Sequence, residues 1–221
     1  MRVRFGPYTA VVSPVSSKSI RPISSERANE ICRALDFLPS IFGNTSWSLT
    51  GGLVVPLTVG YFYRDHDDLD IALDERDLLR ARNSVAEHSY GLFSRVAMAK
   101  ISGGKKIDIY KEPTAREILS GNLKHPRFVK LDNIGSISLD AGLLSYIDVY
   151  PYRLVGNKLV HYLDNISFSA TSARGTPYVT LSGHSLPMRS VEYFVNCGAS
   201  SIKHEVDVQA LSVGHSFAKQ H

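Results

Sequence analysis

The sequence of 221 residues has few cysteines, no long apolar run and little net charge. Its two cysteines, Cys32 and Cys197, are too few for a disulfide framework or for a zinc site of their own. No apolar stretch is long enough to cross a bilayer, and the mean hydropathy is −0.07, so a membrane protein is not expected. The first 22 residues include basic side chains but lack the apolar stretch of a secretory signal. We therefore expect a cytoplasmic protein in a reducing compartment.

The overall composition is that of an ordinary globular domain, with 43% apolar and 21% charged residues. This excludes long disordered or low-complexity segments. The net charge of +4, from 25 Lys and Arg against 21 Asp and Glu, is too small to indicate a nucleic-acid-binding protein. The acidic side chains are nevertheless concentrated in one short stretch, which is the first functional indication: Asp65, Asp67, Asp68, Asp70, Asp74, Glu75 and Asp77.

The pattern of apolar residues predicts a single domain that contains both helices and strands. Residues 1–22 are expected to form an extended lead-in with one strand, residues 23–185 the core, and residues 186–221 a helical C-terminal part. Pro39 is expected to end the first helix, because the residue before a proline disfavours helical geometry. The predicted elements are a helix over 24–38, a strand around 47–49, a helix over 53–60, a strand over 69–73, a polar helix over 75–88, a hairpin of 93–101 with 105–110, a short helix over 113–120, a strand pair of 143–150 with 158–162, and helices over 190–196 and 203–211.

Two carboxylates lie on the predicted strand over 69–73 or just before it. Because side chains alternate between the faces of a strand, Asp68 and Asp70 are expected to point the same way, while Leu69 and Ile71 point into the core. Two carboxylates so close together repel each other unless a cation lies between them. Mg²⁺ suits such a pair, because it binds one or two carboxylates and completes its shell with water and phosphate oxygens.

A pair of glycines, Gly51 and Gly52, lies between a predicted strand and a predicted helix. Glycines let the backbone approach a phosphate closely, and the amides at a helix start favour negative charge. Arg64 and His66 come just before the two carboxylates and can contact a triphosphate or an acceptor. Each also has a structural interpretation, since Arg64 can simply neutralise the acidic stretch and His66 can serve as a hydrogen-bond partner.

The combined pattern of Gly51-Gly52 followed by Arg64-x-His66-x-Asp68-Leu69-Asp70-Ile71 resembles the nucleotidyltransferase superfamily related to DNA polymerase beta. The nearest resemblance is to its lincosamide and aminoglycoside nucleotidyltransferases. It covers residues 47–111, with a weaker similarity over 186–211. The resemblance implies an α+β nucleotidyltransferase fold, a small mixed sheet flanked by helices with a short helical C-terminal part. In the C-terminal helix, Lys203 can reach a phosphate or be an ordinary solvated residue.

Enzymes of this superfamily need a third carboxylate on a neighbouring strand, which completes a metal site or deprotonates the attacking hydroxyl. Asp108 and Asp148 compete for this role, because each lies between apolar residues in a predicted strand. Asp108 lies 38 residues after Asp70, in the hairpin that directly follows the next helix. Asp148 lies 78 residues after Asp70 and would need an insertion. Topology therefore favours Asp108 as base and metal ligand, with Asp148 as its rival.

The resemblance implies transfer of a nucleoside monophosphate from an NTP to a hydroxyl, with one or two Mg²⁺ ions and release of pyrophosphate. It favours a small acceptor such as an antibiotic. Alternatives are a toxin-type enzyme that modifies tRNA or protein, a nucleotide-binding module without turnover, and an unrelated domain with a structural cation site. A homodimer is compatible with the resemblance, although no residue in the sequence indicates one.

Overall fold

A computed structural model describes residues 2–14, 22–121, 123–138, 142–161, 167–197 and 202–218. The α-helices are α1 Ser25–Phe42, α2 Val54–Val59, α3 Leu78–Ala86, α4 Ala115–Leu119, α5 Val191–Cys197 and α6 Ile202–Ala218. The strands are β1 Arg2–Phe5, β2 Tyr8–Pro14, β3 Trp47–Thr50, β4 Leu69–Asp74, β5 Tyr90–Ile101, β6 Lys105–Lys111, β7 Pro126–Lys130, β8 Tyr146–Val155, β9 Lys158–His161, β10 Ser167–Ser169, β11 Tyr178–Val179 and β12 Ser185–Leu186. Short 3₁₀ turns precede α2, α3 and β8, at Gly51–Leu53, Glu75–Asp77 and Gly142–Ser145.

A mixed sheet dominates the fold, and the order of its main strands is β1-β2-β6-β5-β7-β8-β4-β3. The pairing of β4 with β8 is parallel, and the other pairs along this path are antiparallel. The second half of β8 turns back into β9, which pairs in turn with β10. β4 therefore lies between β3 and β8, far along the sheet from the β5–β6 hairpin.

The two faces of β4 have opposite characters. Leu69, Ile71 and Leu73 are completely buried in the main apolar core, against α1 and α3. Asp70 and Ala72 alternate with them and so lie on the other face. Helices α2, α5 and α6 pack together in a separate small apolar cluster. One face of β4 thus belongs to the main core, and the other carries the Asp70 carboxylate and, at Ala72, part of a smaller apolar cluster.

Helix α1 begins where the sequence predicts, since the Ser24 side chain accepts a hydrogen bond from the Arg27 amide. The expectation that Pro39 ends this helix is wrong, because α1 continues to Phe42. Proline in a helix interior removes one backbone hydrogen bond. Ile41 and Phe42 are completely buried beyond it, and their burial offsets that loss.

Most other predicted elements are confirmed with shifted ends. The expected polar helix over 75–88 is a 3₁₀ turn followed by α3, and the short helix over 113–120 is α4, which a capping box of Thr114 and Glu117 starts. The lead-in contains two strands instead of one, and β2 pairs with β6, so residues 2–14 belong to the sheet. Residues 15–21 and Tyr162 lie outside the described residues. No helix in the described ranges combines the length and apolarity needed to span a membrane.

Candidate functional site

Three carboxylates meet on the face of the sheet opposite the main apolar core, where β4 and β8 run side by side. Asp70 lies directly opposite Asp148 in the parallel register, and Asp68 immediately precedes β4. One carboxylate oxygen from each of Asp68, Asp70 and Asp148 can be chosen so that all three lie within 4.8 Å of one another. Oxygen atoms gathered at this spacing are the donor set that hard divalent cations such as Mg²⁺ prefer.

The electrostatics of this carboxylate cluster favour a cation. Burial, together with the negative charges of Asp68 and Asp148, holds the pKa of Asp70 well above its ordinary value. Burial also raises the pKa of Asp148, although the charge of Arg127 opposes the effect. The Tyr150 hydroxyl hydrogen-bonds Asp70, and mainly because of that carboxylate the pKa of Tyr150 is raised as well. The crowding of the three carboxylates keeps the pKa of Asp70 raised despite the charge of Arg127, so a divalent ion would relieve their repulsion and the residues present fit Mg²⁺.

Gly51 brings the backbone against this cluster. It has a positive φ of 70°, and a β-carbon there would lie 2.7 Å from Cβ and Cγ of Asp70. No other residue type fits that approach without moving the carboxylate. The predicted glycine pair is thus brought directly beside the predicted metal ligands.

Gly52 is restricted by side chains alone, because a β-carbon there would lie 2.5 Å from Nη2 of Arg64 and 3.5 Å from the imidazole of His66. Arg64 and His66 are both buried, with 4% and 3% of their surface exposed. The structure therefore brings Gly51, Gly52, Arg64 and His66 together around one loop. Their contact with a nucleotide stays a prediction.

The partner of Arg64 is a carboxylate on the C-terminal helix. Its Nε and Nη2 donate to the two oxygens of Asp207 on α6, each at 2.7 Å, and Tyr63 donates its hydroxyl to Asp207 at the same distance. The guanidinium is thus already neutralised, and it fastens the loop before β4 to α6. Arg27 on α1 holds the same loop from the other side, through Asp65 at 2.8 Å and the backbone carbonyl of His66 at 2.6 Å.

The structure does not bring Asp108 into the carboxylate cluster. The expectation that its strand lies beside β4 is wrong, because β5, β7 and β8 separate β6 from β4. Asp108 is 3% exposed and forms ion pairs with Lys106 at 3.0 Å and with Arg95 at 3.8 Å. The side chain of Lys203 lies outside the described part of the chain, although its backbone belongs to α6.

The sequence analysis missed Arg127, which is 5% exposed and lies on β7 opposite Asp148. Its Nη2 lies 2.6 Å from Oδ1 and 2.8 Å from Oδ2 of Asp148, and its Nη1 donates to the Tyr110 hydroxyl at 2.9 Å. A signal was available, since one charged residue between Pro126 and Phe128 in a β-prone run is typical of a buried strand with a polar partner.

Comparison with solved structures identifies the fold. The chain is similar to the lincosamide antibiotic adenylyltransferase LnuA with lincomycin bound, with a TM-score of 0.50 and 12% identity over 87% of this chain and 98% of LnuA. It is also similar to ANT(2")-Ia in complex with adenylyl-2"-tobramycin, with a TM-score of 0.41 and 12% identity over 85% of this chain and 93% of that one. An antigenic nucleotidyltransferase-like protein from Paracoccidioides brasiliensis has a TM-score of 0.40 and 13% identity, over 87% of this chain and 77% of its own.

No protein-family model and no curated protein matches the sequence. The structural neighbours are nucleotidyltransferases, among them lincosamide and aminoglycoside enzymes, and the similarity to LnuA establishes the fold. The predicted α+β nucleotidyltransferase fold is therefore confirmed.

Proposed function

We propose that this protein transfers a nucleoside monophosphate from an NTP to a hydroxyl group of an acceptor, in a reaction that depends on Mg²⁺. One observation carries the proposal: the oxygens of Asp68, Asp70 and Asp148 lie within 4.8 Å of one another, and Gly51 lies against Asp70. A cation site and a loop that can approach phosphates are the two parts that nucleotidyl transfer requires. The nucleotidyltransferase fold agrees with this assignment.

Asp68 and Asp70 are the residues that would hold the metal, because Asp68 immediately precedes β4, Asp70 lies in it, and Gly51 lies against Asp70. Bound there, Mg²⁺ would neutralise the phosphate charge and polarise the phosphorus that is attacked. The protein supplies the rigid positions of the two carboxylates, since β4 is held between β3 and β8. Gly51 and Gly52 leave room for the triphosphate, with His66 beside Gly52 and Arg64 fastening the loop before β4 to α6.

Asp148 is the residue that would accept the proton of the acceptor hydroxyl. The hydroxyl oxygen forms a bond to the α-phosphorus while the bond from that phosphorus to the bridging oxygen breaks, and pyrophosphate leaves. The proton passes to a carboxylate oxygen of Asp148, so atoms and charge balance. Asp148 is preferred to Asp108 because it lies beside Asp70, whereas Asp108 is neutralised by Lys106 and Arg95.

For the acceptor we propose a small hydroxyl-bearing molecule, with lincosamides as the first to test. The support is the similarity of the fold to LnuA, whose structure holds lincomycin. Modification of tRNA or of protein, and nucleotide binding without turnover, are outcomes that the experiment separates.

The experiment incubates the protein with each labelled NTP and Mg²⁺, together with lincosamides, aminoglycosides, pooled tRNA or lysate protein. We expect label on a small molecule and release of pyrophosphate, both lost in Asp70→Asn and retained in Asp67→Asn, a neighbouring acid outside the carboxylate cluster. Label on tRNA or protein would contradict the small-molecule acceptor. Absence of nucleotide binding and of transfer to every acceptor would contradict the enzyme.

A further inference from the structure

We infer that Arg127 is a positioning residue that keeps Asp148 from acting as a full metal ligand and directs it to the acceptor hydroxyl. The inference rests on the proposed nucleotidyl transfer. The role of Arg127 answers a question that the carboxylate cluster raises, namely how three carboxylates on one face of the sheet divide into two metal ligands and one proton acceptor.

The guanidinium of Arg127 lies across both oxygens of Asp148, since Nη2 is 2.6 Å from Oδ1 and 2.8 Å from Oδ2. Both oxygens therefore already share a charged donor, which weakens each of them as a metal ligand and fixes the plane of the carboxylate. Asp70 lies opposite Asp148 in the register, but it accepts a hydrogen bond from a neutral group, the Tyr150 hydroxyl. The two aspartates thus differ in their partners, although their positions on adjacent strands are equivalent.

The position of Arg127 is rigid. Its side chain is 6% exposed, its Nη1 donates to the Tyr110 hydroxyl at 2.9 Å, and its guanidinium carbon lies 4.5 Å from the centre of the Tyr146 ring. Tyr110 is itself held edge-on by Phe93 at 6.4 Å between ring centres. An arginine enclosed in this way cannot swing out to bind substrate, so its effect must pass through Asp148.

The charges give this arrangement a consequence that can be measured. Asp68, Asp70 and Asp148 carry up to three negative charges, and Arg127 cancels one of them at the end of the cluster away from β3. Removal of the arginine would strengthen the attraction of the cluster for a divalent cation and would free Asp148 to coordinate it. Metal affinity and turnover should therefore change in opposite directions.

The test uses the full chain with Mn²⁺ alone as the probe for binding, and labelled NTP with the acceptor found above for turnover. In Arg127→Met we expect Mn²⁺ to bind about fivefold more tightly. In the same variant kcat should fall roughly 100-fold, while KM for the NTP stays within about twofold. Arg127→Lys keeps the charge and should recover part of kcat and the original Mn²⁺ affinity.

The matched control is Lys130→Met, which removes another cation from β7 that lies over an aromatic ring, that of Tyr90 at 4.7 Å. It should change neither Mn²⁺ affinity nor kcat. If Arg127→Met folds poorly, kcat is measured in Arg127→Lys and Tyr110→Phe instead, with thermal unfolding as the check on folding, and an unchanged kcat in both variants would overturn the inference. Unchanged or weaker Mn²⁺ binding in Arg127→Met would overturn the inference. A wild-type protein that transfers nothing would refute the proposed function, while the Mn²⁺ measurement would still decide the role of Arg127.

Discussion

Two regions on the same face of the sheet carry aspartates in very similar sequence settings, yet their surroundings are opposite. Asp148 lies between Ile147 and Val149, and Asp108 lies between Ile107 and Ile109. A carboxylate oxygen of Asp148 lies within 4.8 Å of oxygens from two other carboxylates, and Asp148 pairs with Arg127, whereas Asp108 pairs with two cations, Lys106 and Arg95. The proposed catalytic carboxylate is thus distinguished by the crowding of like charges around it, and not by its burial or its apolar neighbours.

The largest expected effect tests which of the two aspartates is needed for nucleotidyl transfer. Asp148→Asn should lower kcat for nucleotidyl transfer roughly 1,000-fold, because it removes the proton acceptor. Asp108→Asn should leave kcat within about threefold. Steady-state kinetics with a saturating NTP measure both. Full activity of Asp148→Asn together with loss in Asp108→Asn would reverse our assignment.

The next effect extends the comparison to a carboxylate in a one-to-one ion pair. Asp207 and Arg64 have 2% and 5% of their side chains exposed. Asp207→Asn should lower the free energy of unfolding by about 3 kcal/mol, because it leaves the guanidinium buried without its counter-charge. Urea denaturation measures the change, and Glu205→Gln, on an exposed position of the same helix, is the control. Equal stabilities of the two variants would show that α6 does not depend on this pair.

A smaller effect of opposite sign is expected at Asp70. Asp70→Asn should raise the metal-free free energy of unfolding by between about 1 and 2 kcal/mol, because it relieves the repulsion among the carboxylates. The folded pKa of Asp70 is raised, so the stability that its carboxyl contributes is present below the unfolded pKa and is lost as pH rises through the folded one. The advantage of the variant should therefore be absent in acid and grow as pH rises.

Thermal unfolding across this pH range, with and without Mg²⁺, measures both consequences. Mg²⁺ should stabilise the wild-type protein more than the variant. A variant less stable than the wild type at every pH would mean that Asp70 is balanced in the folded protein, as Asp108 is.

The smallest effect lies where the two regions meet. Tyr110 is on the same strand as Asp108, but its hydroxyl accepts from Arg127. Tyr110→Phe should lower kcat about threefold, because Arg127 keeps Asp148 and the Tyr146 ring but loses one partner. Tyr90→Phe, which removes a hydroxyl that donates to the Leu144 carbonyl away from the cluster, should leave kcat unchanged.

The local parts of the site were predictable from the sequence, and the non-local parts were not. The alternation of side chains predicted strand β4 and the common orientation of Asp68 and Asp70. The glycine pair before β4 predicted a close approach of the backbone to a phosphate. The third carboxylate depended on which strand pairs with β4, which proximity in sequence could not decide, because β8 is inserted between β7 and β4. The partner of Arg64 lies 143 residues away in the chain, so no local pattern could reveal it.

In the fold, too, the features set by neighbouring residues were predicted, whereas those set by contacts distant in the sequence were not. The start of α1 followed from its capping residue Ser24, but its end did not follow from Pro39, because the burial of Ile41 and Phe42 outweighs the local preference. The hairpin of β5 and β6 was predicted from its turn at Ser102-Gly103-Gly104. The distance of this hairpin from β4 was not predicted, because a turn sequence does not determine which other strands pair with the hairpin.

Asp68 and Asp70 are proposed to hold the metal, with Asp148 and not Asp108 as the third carboxylate beside them. Isothermal titration of Mn²⁺ into the wild-type protein, Asp148→Asn and Asp108→Asn at one ionic strength tests this assignment most directly. We expect Asp148→Asn to weaken Mn²⁺ binding about tenfold, because a negative charge beside the metal ligands is lost. We expect Asp108→Asn to change the Mn²⁺ affinity by less than about twofold. Weaker Mn²⁺ binding in Asp108→Asn with unchanged binding in Asp148→Asn would contradict the assignment of Asp148 as the third carboxylate.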